Sequence, residues 1–243
     1  MTEEACARET EGQSLERGLL IAGGLCAILW PLLTTAYYAA YPLVAGGTMH
    51  PQSGGQAAIA VRLAELGQRP AVVSLEWISV ALLVLLWPFF VALYRLLGRR
   101  GQRDLSLVAT GIGLLAIGLM MLSSTFNPTA LYSLSQAYVG AATEVEGLAV
   151  LSVLNGLLRW TRGLNQTSSL LYAGYVGLVS LALIRSRTWS VLGWLGVMGA
   201  ALVVPAKLSL GLRVPTNAIW TGVAYGLWPW AVGIGLLRLK RDQ

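Results

Sequence analysis

Charge is the first thing this sequence is short of. Only 12% of its 243 residues are charged, against roughly 25% in a typical soluble domain, and so little charge cannot coat a water-facing surface. Histidine is nearly missing too: His50 stands alone, which excludes a His-rich metal or haem site. Of the two cysteines, Cys6 lies in a polar N-terminal stretch and Cys26 inside the first apolar segment. They sit at different depths and imply no disulfide framework. There is no CxxC, no HExxH, no glycine-rich phosphate loop and no GxSxG, which removes the common soluble-enzyme signatures. No cofactor and no metal is expected, and the reading leans away from an enzyme.

What fills the sequence instead is apolar. Hydrophobic residues make up 56% of it and the mean hydropathy is +0.65. The chain divides into six bilayer-length segments, near 18–43, 72–97, 105–126, 164–184, 189–210 and 218–239. Each is long enough to cross about 30 Å of hydrocarbon, where backbone polarity demands a helix. The expectation is an all-α integral membrane protein, with a single six-helix domain over 17–240. Residues 1–16 carry Glu3, Glu4, Glu11 and Glu16 and lack the basic start of a cleaved signal peptide; they read as a short exposed cytoplasmic tail.

The basic residues orient the bundle. On one side fall Arg8, Arg17, Arg95, Arg99, Arg100, Arg103, Arg185, Arg187, Arg238, Lys240 and Arg241. The other side holds Arg62, Arg69, Arg159, Arg162, Lys207 and Arg213. The positive-inside rule puts both termini in the cytoplasm and accounts for the net charge of +6 without nucleic acid as a partner. Two long connections, about 45–71 and 127–163, then face outward.

Both connections carry amphipathic patterns. In 56–69, Arg62, Glu65 and Arg69 share one helical face. In the second, Thr143-Glu144-Val145-Glu146 reads as a capping box. Glu144, Ser152, Asn155, Arg159 and Arg162 then form one polar stripe at 100° per residue. The expectation is two interfacial helices over the bundle, with a re-entrant or seventh spanning segment as the alternative for 143–162.

Leu-Trp-Pro occurs at 29–31, 86–88 and 227–229, where proline removes a backbone bond and kinks the helix. The plain interpretation is kinks beside packing tryptophans, and a gating hinge is the other. Gly193, Gly196 and Gly199, Gly222 and Gly226, and Gly111, Gly113 and Gly118 offer spans on which neighbouring backbones can approach.

Polar residues collect on the outer side. Glu76 lies about a turn below the outer end of span two, and Lys207 near that of span five. Ser124 and Asn127 close span three, Tyr38 closes span one and Trp220 opens span six. One reading is an ordinary interface, with aromatic belts, a snorkelling lysine and helix caps. The other is an outward-opening polar pocket in which Glu76, Lys207, Asn127, Ser124, Tyr38 and Trp220 hold a ligand. Glu76 is the strongest single residue, because an ionisable group in lipid is a functional candidate.

The stretch Val91-Ala92-Leu93-Tyr94-Arg95-Leu96-Leu97, followed by a basic turn, is one of two telling motifs. The other is Ile184-Arg185-Ser186-Arg187 followed by Val191-Leu192-Gly193-Trp194-Leu195-Gly196. Together they resemble inner turns of the bacterial membrane proteins grouped as the domain of unknown function 4386 family. The resemblance covers about 17–237, and no proline follows Arg187 where the family pattern has one. It implies a six-helix bundle in the bacterial cytoplasmic membrane and supplies no catalytic residues.

Three functional classes follow. The first is a non-enzymatic protein whose outer pocket binds or senses a small amphiphilic molecule, with membrane lipids around it. The second is an accessory or anchor subunit among other membrane subunits. A transporter or intramembrane enzyme is third, since no polar path crosses the inner half of the spans and no nucleophile–base pair appears.

Overall fold

The computed structural model describes residues 3–45, 60–61, 63–64, 70–208 and 226–239. The described elements are all helical: α1 Glu3–Ala45, α2 Pro70–Val84, α3 Leu86–Arg99, α4 Arg103–Ser124, α5 Tyr132–Val139, α6 Glu144–Arg185, α7 Ser190–Leu208 and α8 Trp228–Leu239. A π-helical turn, Asn127–Leu131, joins α4 to α5.

Four stretches are long and apolar enough to cross a membrane: Ser14–Tyr41, Val73–Arg99, Arg103–Val139 and Glu144–Arg185. The protein is therefore a multi-pass membrane protein. The six expected spans reduce to these four among the described residues. The fifth, in α7, has a shorter apolar run, Ser190–Val203, and the sixth is described only over the 12 residues of α8. Large apolar side chains face outward along the helices, among them Leu107 and Leu115 of α4 and Val191, Trp194 and Met198 of α7. Such a surface suits lipid and would associate in water.

Local sequence explains the breaks. The helix of the second span is interrupted at Leu85, three residues before Pro88. That proline has no N–H to offer the carbonyl of Val84, and its ring crowds it. At the end of α3 the amide of Gln102 bonds the carbonyl of Leu97 at 3.0 Å. Gly101 there adopts φ 76°, the left-handed geometry of a glycine stop.

At the N-terminus α1 runs unbroken from Glu3 to Ala45, and Glu16 pairs with Arg99 at the end of α3. One expectation is corrected: 143–162 is not a helix distinct from the fourth span, since α6 continues through it for 42 residues, about 63 Å at 1.5 Å per residue. Between Arg162 and Ser168 the weakest helix former is Gly163, with Asn165 and Thr167 milder, and one glycine costs about 1 kcal/mol, too little to stop a helix already propagating. The connection 45–71 lies mostly outside the described residues.

Contacts divide the chain into two compact units. The first is Met1–Leu32, Val84–Ala116 and Ser169–Gln243. Its centre is aromatic. Phe90 packs on Tyr175 with ring centroids 4.2 Å apart, Trp228 meets Tyr175 edge-on, and the Trp228 indole N–H donates to the carbonyl of Leu192 at 3.2 Å. Of the glycines marked in the sequence, Gly113, Gly193 and Gly196 lie in close contact, whereas Gly111, Gly118 and Gly226 have open space where a side chain would be.

The second unit is Leu33–Leu83 and Ile117–Ser168. Leu63, Phe126, Leu131, Leu151 and Leu154 form its apolar core. The capping box is present: Glu146 N–H donates to Thr143 Oγ1 at 3.3 Å. The Glu146 carboxylate in turn accepts from the amide of Ala142 at 2.8 Å, one residue earlier than the usual partner.

Candidate functional site

Glu76 sits in the second turn of α2, and its residue is only 5% exposed. Two phenols from α1 reach it. Tyr41 donates to Oε1 at 2.6 Å and Tyr37 donates to Oε2 at 3.3 Å, so each carboxylate oxygen has its own donor. The spacing of four residues places both rings on one face of α1. Ser79, one turn along α2, donates to the backbone carbonyl of Glu76 at 2.7 Å and points its hydroxyl along the same stretch of helix.

The energetics favour this arrangement over a bare carboxylate. A central aspartate in a membrane helix costs about 2.5–3.5 kcal/mol on insertion scales, and a hydrogen bond to a charged group contributes about 1.5–3 kcal/mol. Two phenolic donors therefore offset a charge of this kind. The aromatic surround extends beyond them. The ring centroids of Tyr37 and Tyr41 are 5.8 Å apart, and Tyr38 meets Tyr37 nearly edge-on at 5.5 Å.

The residues singled out in the sequence fare differently. Tyr38 is 55% exposed and touches the group through the ring of Tyr37. Its neighbours Tyr37 and Tyr41, passed over as ligands, are the ones that bond Glu76. The signal for them was their i, i+4 spacing opposite a lone buried acid. Ser124 is half-buried at the end of α4. The side chains of Asn127 and Lys207, and the whole of Trp220, lie outside the described residues.

Much of the remaining hydroxyl layer serves its own helices. Thr125 donates to the carbonyl of Leu122, Ser135 to Tyr132, Thr161 to Leu157 and Ser168 to Asn165. These hydroxyls are spent on backbone, as interface residues commonly are.

Among the described residues no group of three His, Cys, Asp or Glu side chains gathers as a metal site would require. The Glu76 group instead combines one carboxylate, two phenols and an aromatic wall. It is suited to accept a positive or proton-donating group. No protein-family model, curated protein or solved structure matches the chain.

Proposed function

We propose that the protein binds or senses a small amphiphilic molecule at an outward-facing polar site centred on Glu76, within a six-span bundle whose two termini are cytoplasmic. The observation that carries this reading is the burial of Glu76 beneath the hydroxyls of Tyr37 and Tyr41. A carboxylate held in a spanning segment is a costly feature with a specific set of donors around it. Exposed apolar groups follow directly in the sequence, Trp77 at 46% and Ile78 at 48%, and they offer a surface for an apolar tail. The described parts of α7 and α8 serve as the fifth and sixth spans, and membership of the domain of unknown function 4386 family, in a bacterial cytoplasmic membrane, belongs to the same proposal.

A photoactivatable amphiphile, crosslinked in membranes and mapped by peptide mass spectrometry, tests it. Labelling should concentrate on 37–41 and 73–80 and be competed by unlabelled amphiphile. Uniform labelling of all lipid-facing helices, with no competition, would refute the site.

A second reading, an accessory subunit, draws on α6. Its length is about twice the ~30 Å of hydrocarbon, and Val145, Leu148 and Val153 are more than half exposed along its N-terminal part. Co-purification of a stoichiometric membrane partner that protects these residues from labelling would favour it.

A further inference from the structure

We propose that the turn between α6 and α7, together with the last turn of α8, binds the phosphate of an acidic phospholipid, with Arg187 and Arg238 as its ligands beside Trp189. The inference takes from the reading above only that α7 and α8 cross the bilayer, and it does not depend on Glu76.

Charge balance comes first. From Gly147 to Arg241 the sequence holds no aspartate or glutamate, so α6 beyond its first turn, α7 and α8 carry arginine without an acid of their own. Arg185, Arg187 and Arg238 are all exposed. The nearest acids by contact belong to α1, whose Gly24 packs against Leu237 of α8. Of these, Glu16 is already paired with Arg99, and Glu11 stands 13 residues before Gly24, about 20 Å along the helix. At the end of the chain Asp242 is outnumbered by Arg238, Lys240 and Arg241. This end of the fold is left with an excess of positive charge that an anion from outside the chain can answer.

Geometry gathers two of these arginines. The indole of Trp189 lies against Gly235, where an added Cβ would come within 2.7 Å of its ring. Arg238 follows three residues later, on the same face of α8 and one turn nearer the helix end. Arg187 stands two residues before Trp189, so both guanidinium side chains start close to one ring. Arg187 also holds φ 52°, a left-handed geometry that glycine adopts freely and a long side chain rarely does.

Phosphate suits such a pair, because each guanidinium offers a planar fork of donors matched to its oxygens. The source is a lipid rather than a free anion, since an apolar track leaves the same turn. Val191, Trp194 and Met198 are 80%, 59% and 64% exposed and share one face of α7 at spacings of three and four. That face is a surface for acyl chains, beginning four residues after Arg187.

The test uses the full-length protein in phosphatidylcholine nanodiscs, doped sparsely with phosphatidylglycerol or phosphatidylcholine that carries the same photoactivatable acyl chain. Peptide mass spectrometry reads the labelling of 189–202. The phosphatidylglycerol probe should label this stretch about twentyfold more than its neutral counterpart, from two basic side chains at about fivefold each. Arg187→Gln with Arg238→Gln should bring the ratio close to one, and Arg159→Gln should leave it unchanged. Because the preference is a ratio for one protein, differences in yield do not affect it. Arg187→Gly guards against a merely structural effect: glycine accepts the turn, so the thermal midpoint should hold or rise while the preference falls about fivefold. Inorganic phosphate should displace the acidic probe no better than chloride at equal ionic strength, and better displacement would assign the arginines to a free anion and overturn the lipid source. Equal labelling by both probes, unchanged in the variants, would leave these arginines a role in topology alone and overturn the proposal while keeping α7 in lipid. Labelling by neither probe would remove the reading of α7 as a span, and the proposal with it.

Discussion

The backbones of Gly24 in α1 and Gly233 in α8 touch. A Cβ built on Gly24 would stand 3.0 Å from the carbonyl oxygen of Gly233, and one built on Gly233 would stand 2.8 Å from that of Gly24. This reciprocal approach leaves no room for a side chain on either helix, and helix association within lipid depends on such close backbone packing. Gly24→Val or Gly233→Val should therefore cost about 1–3 kcal/mol, as overpacking does. Gly111→Ala, at a site with open space, should be nearly neutral. Thermal unfolding in mild detergent distinguishes the two outcomes, and an unchanged midpoint for Gly233→Val would contradict the contact.

The start of α6 depends on a cap. Removing the hydroxyl in Thr143→Ala should destabilise that end by about 0.5–2 kcal/mol. Hydrogen exchange should quicken at 144–148 and stay unchanged near Ala182. Exchange that rises evenly over the whole helix would argue against a local cap.

Continuity of α6 is measurable as a length. Spin labels at Ser152 and Gly174 are 22 residues apart, so an unbroken helix separates their backbones by about 33 Å. A right-angled turn at Gly163, as an interfacial helix joined to a span would need, gives about 23 Å on the same rise per residue. Pulsed dipolar spectroscopy resolves the two, after allowance for label length.

The proposed topology follows from the basic residues. With Cys6 and Cys26 replaced, a cysteine at Ser53 should react with an impermeant thiol reagent in intact cells, and one at Gln102 should not. The opposite pattern would place both termini outside.

The first three spanning segments were legible because hydropathy reports them directly: 18–43, 72–97 and 105–126 each overlap a described apolar helix. Glu76 stood out for the same reason, as a lone acid in an apolar run. The tyrosines that bond it were less legible. Tyr37, Tyr38 and Tyr41 look alike in sequence, and only the facing of α1 toward α2 separates the two bonded phenols from the exposed one. The length of α6 was misjudged on physical grounds of another kind. A polar stripe followed by Gly163-Leu164-Asn165-Gln166 resembles a helix end, yet each of those residues is tolerated within a helix once neighbouring turns have formed.

The pairing of Glu76 with residues 35 and 39 positions earlier in the chain also bears on biogenesis. At about 5–20 residues per second, these phenols of α1 leave the ribosome roughly two to eight seconds before the acid of α2. The two phenols are thus already at the site of insertion when the carboxylate arrives, and α1 acts as its receiving surface. Transplanting α2 ahead of α1 would make that carboxylate enter lipid alone, and such a permuted chain should insert poorly even though every contact of the finished protein is preserved.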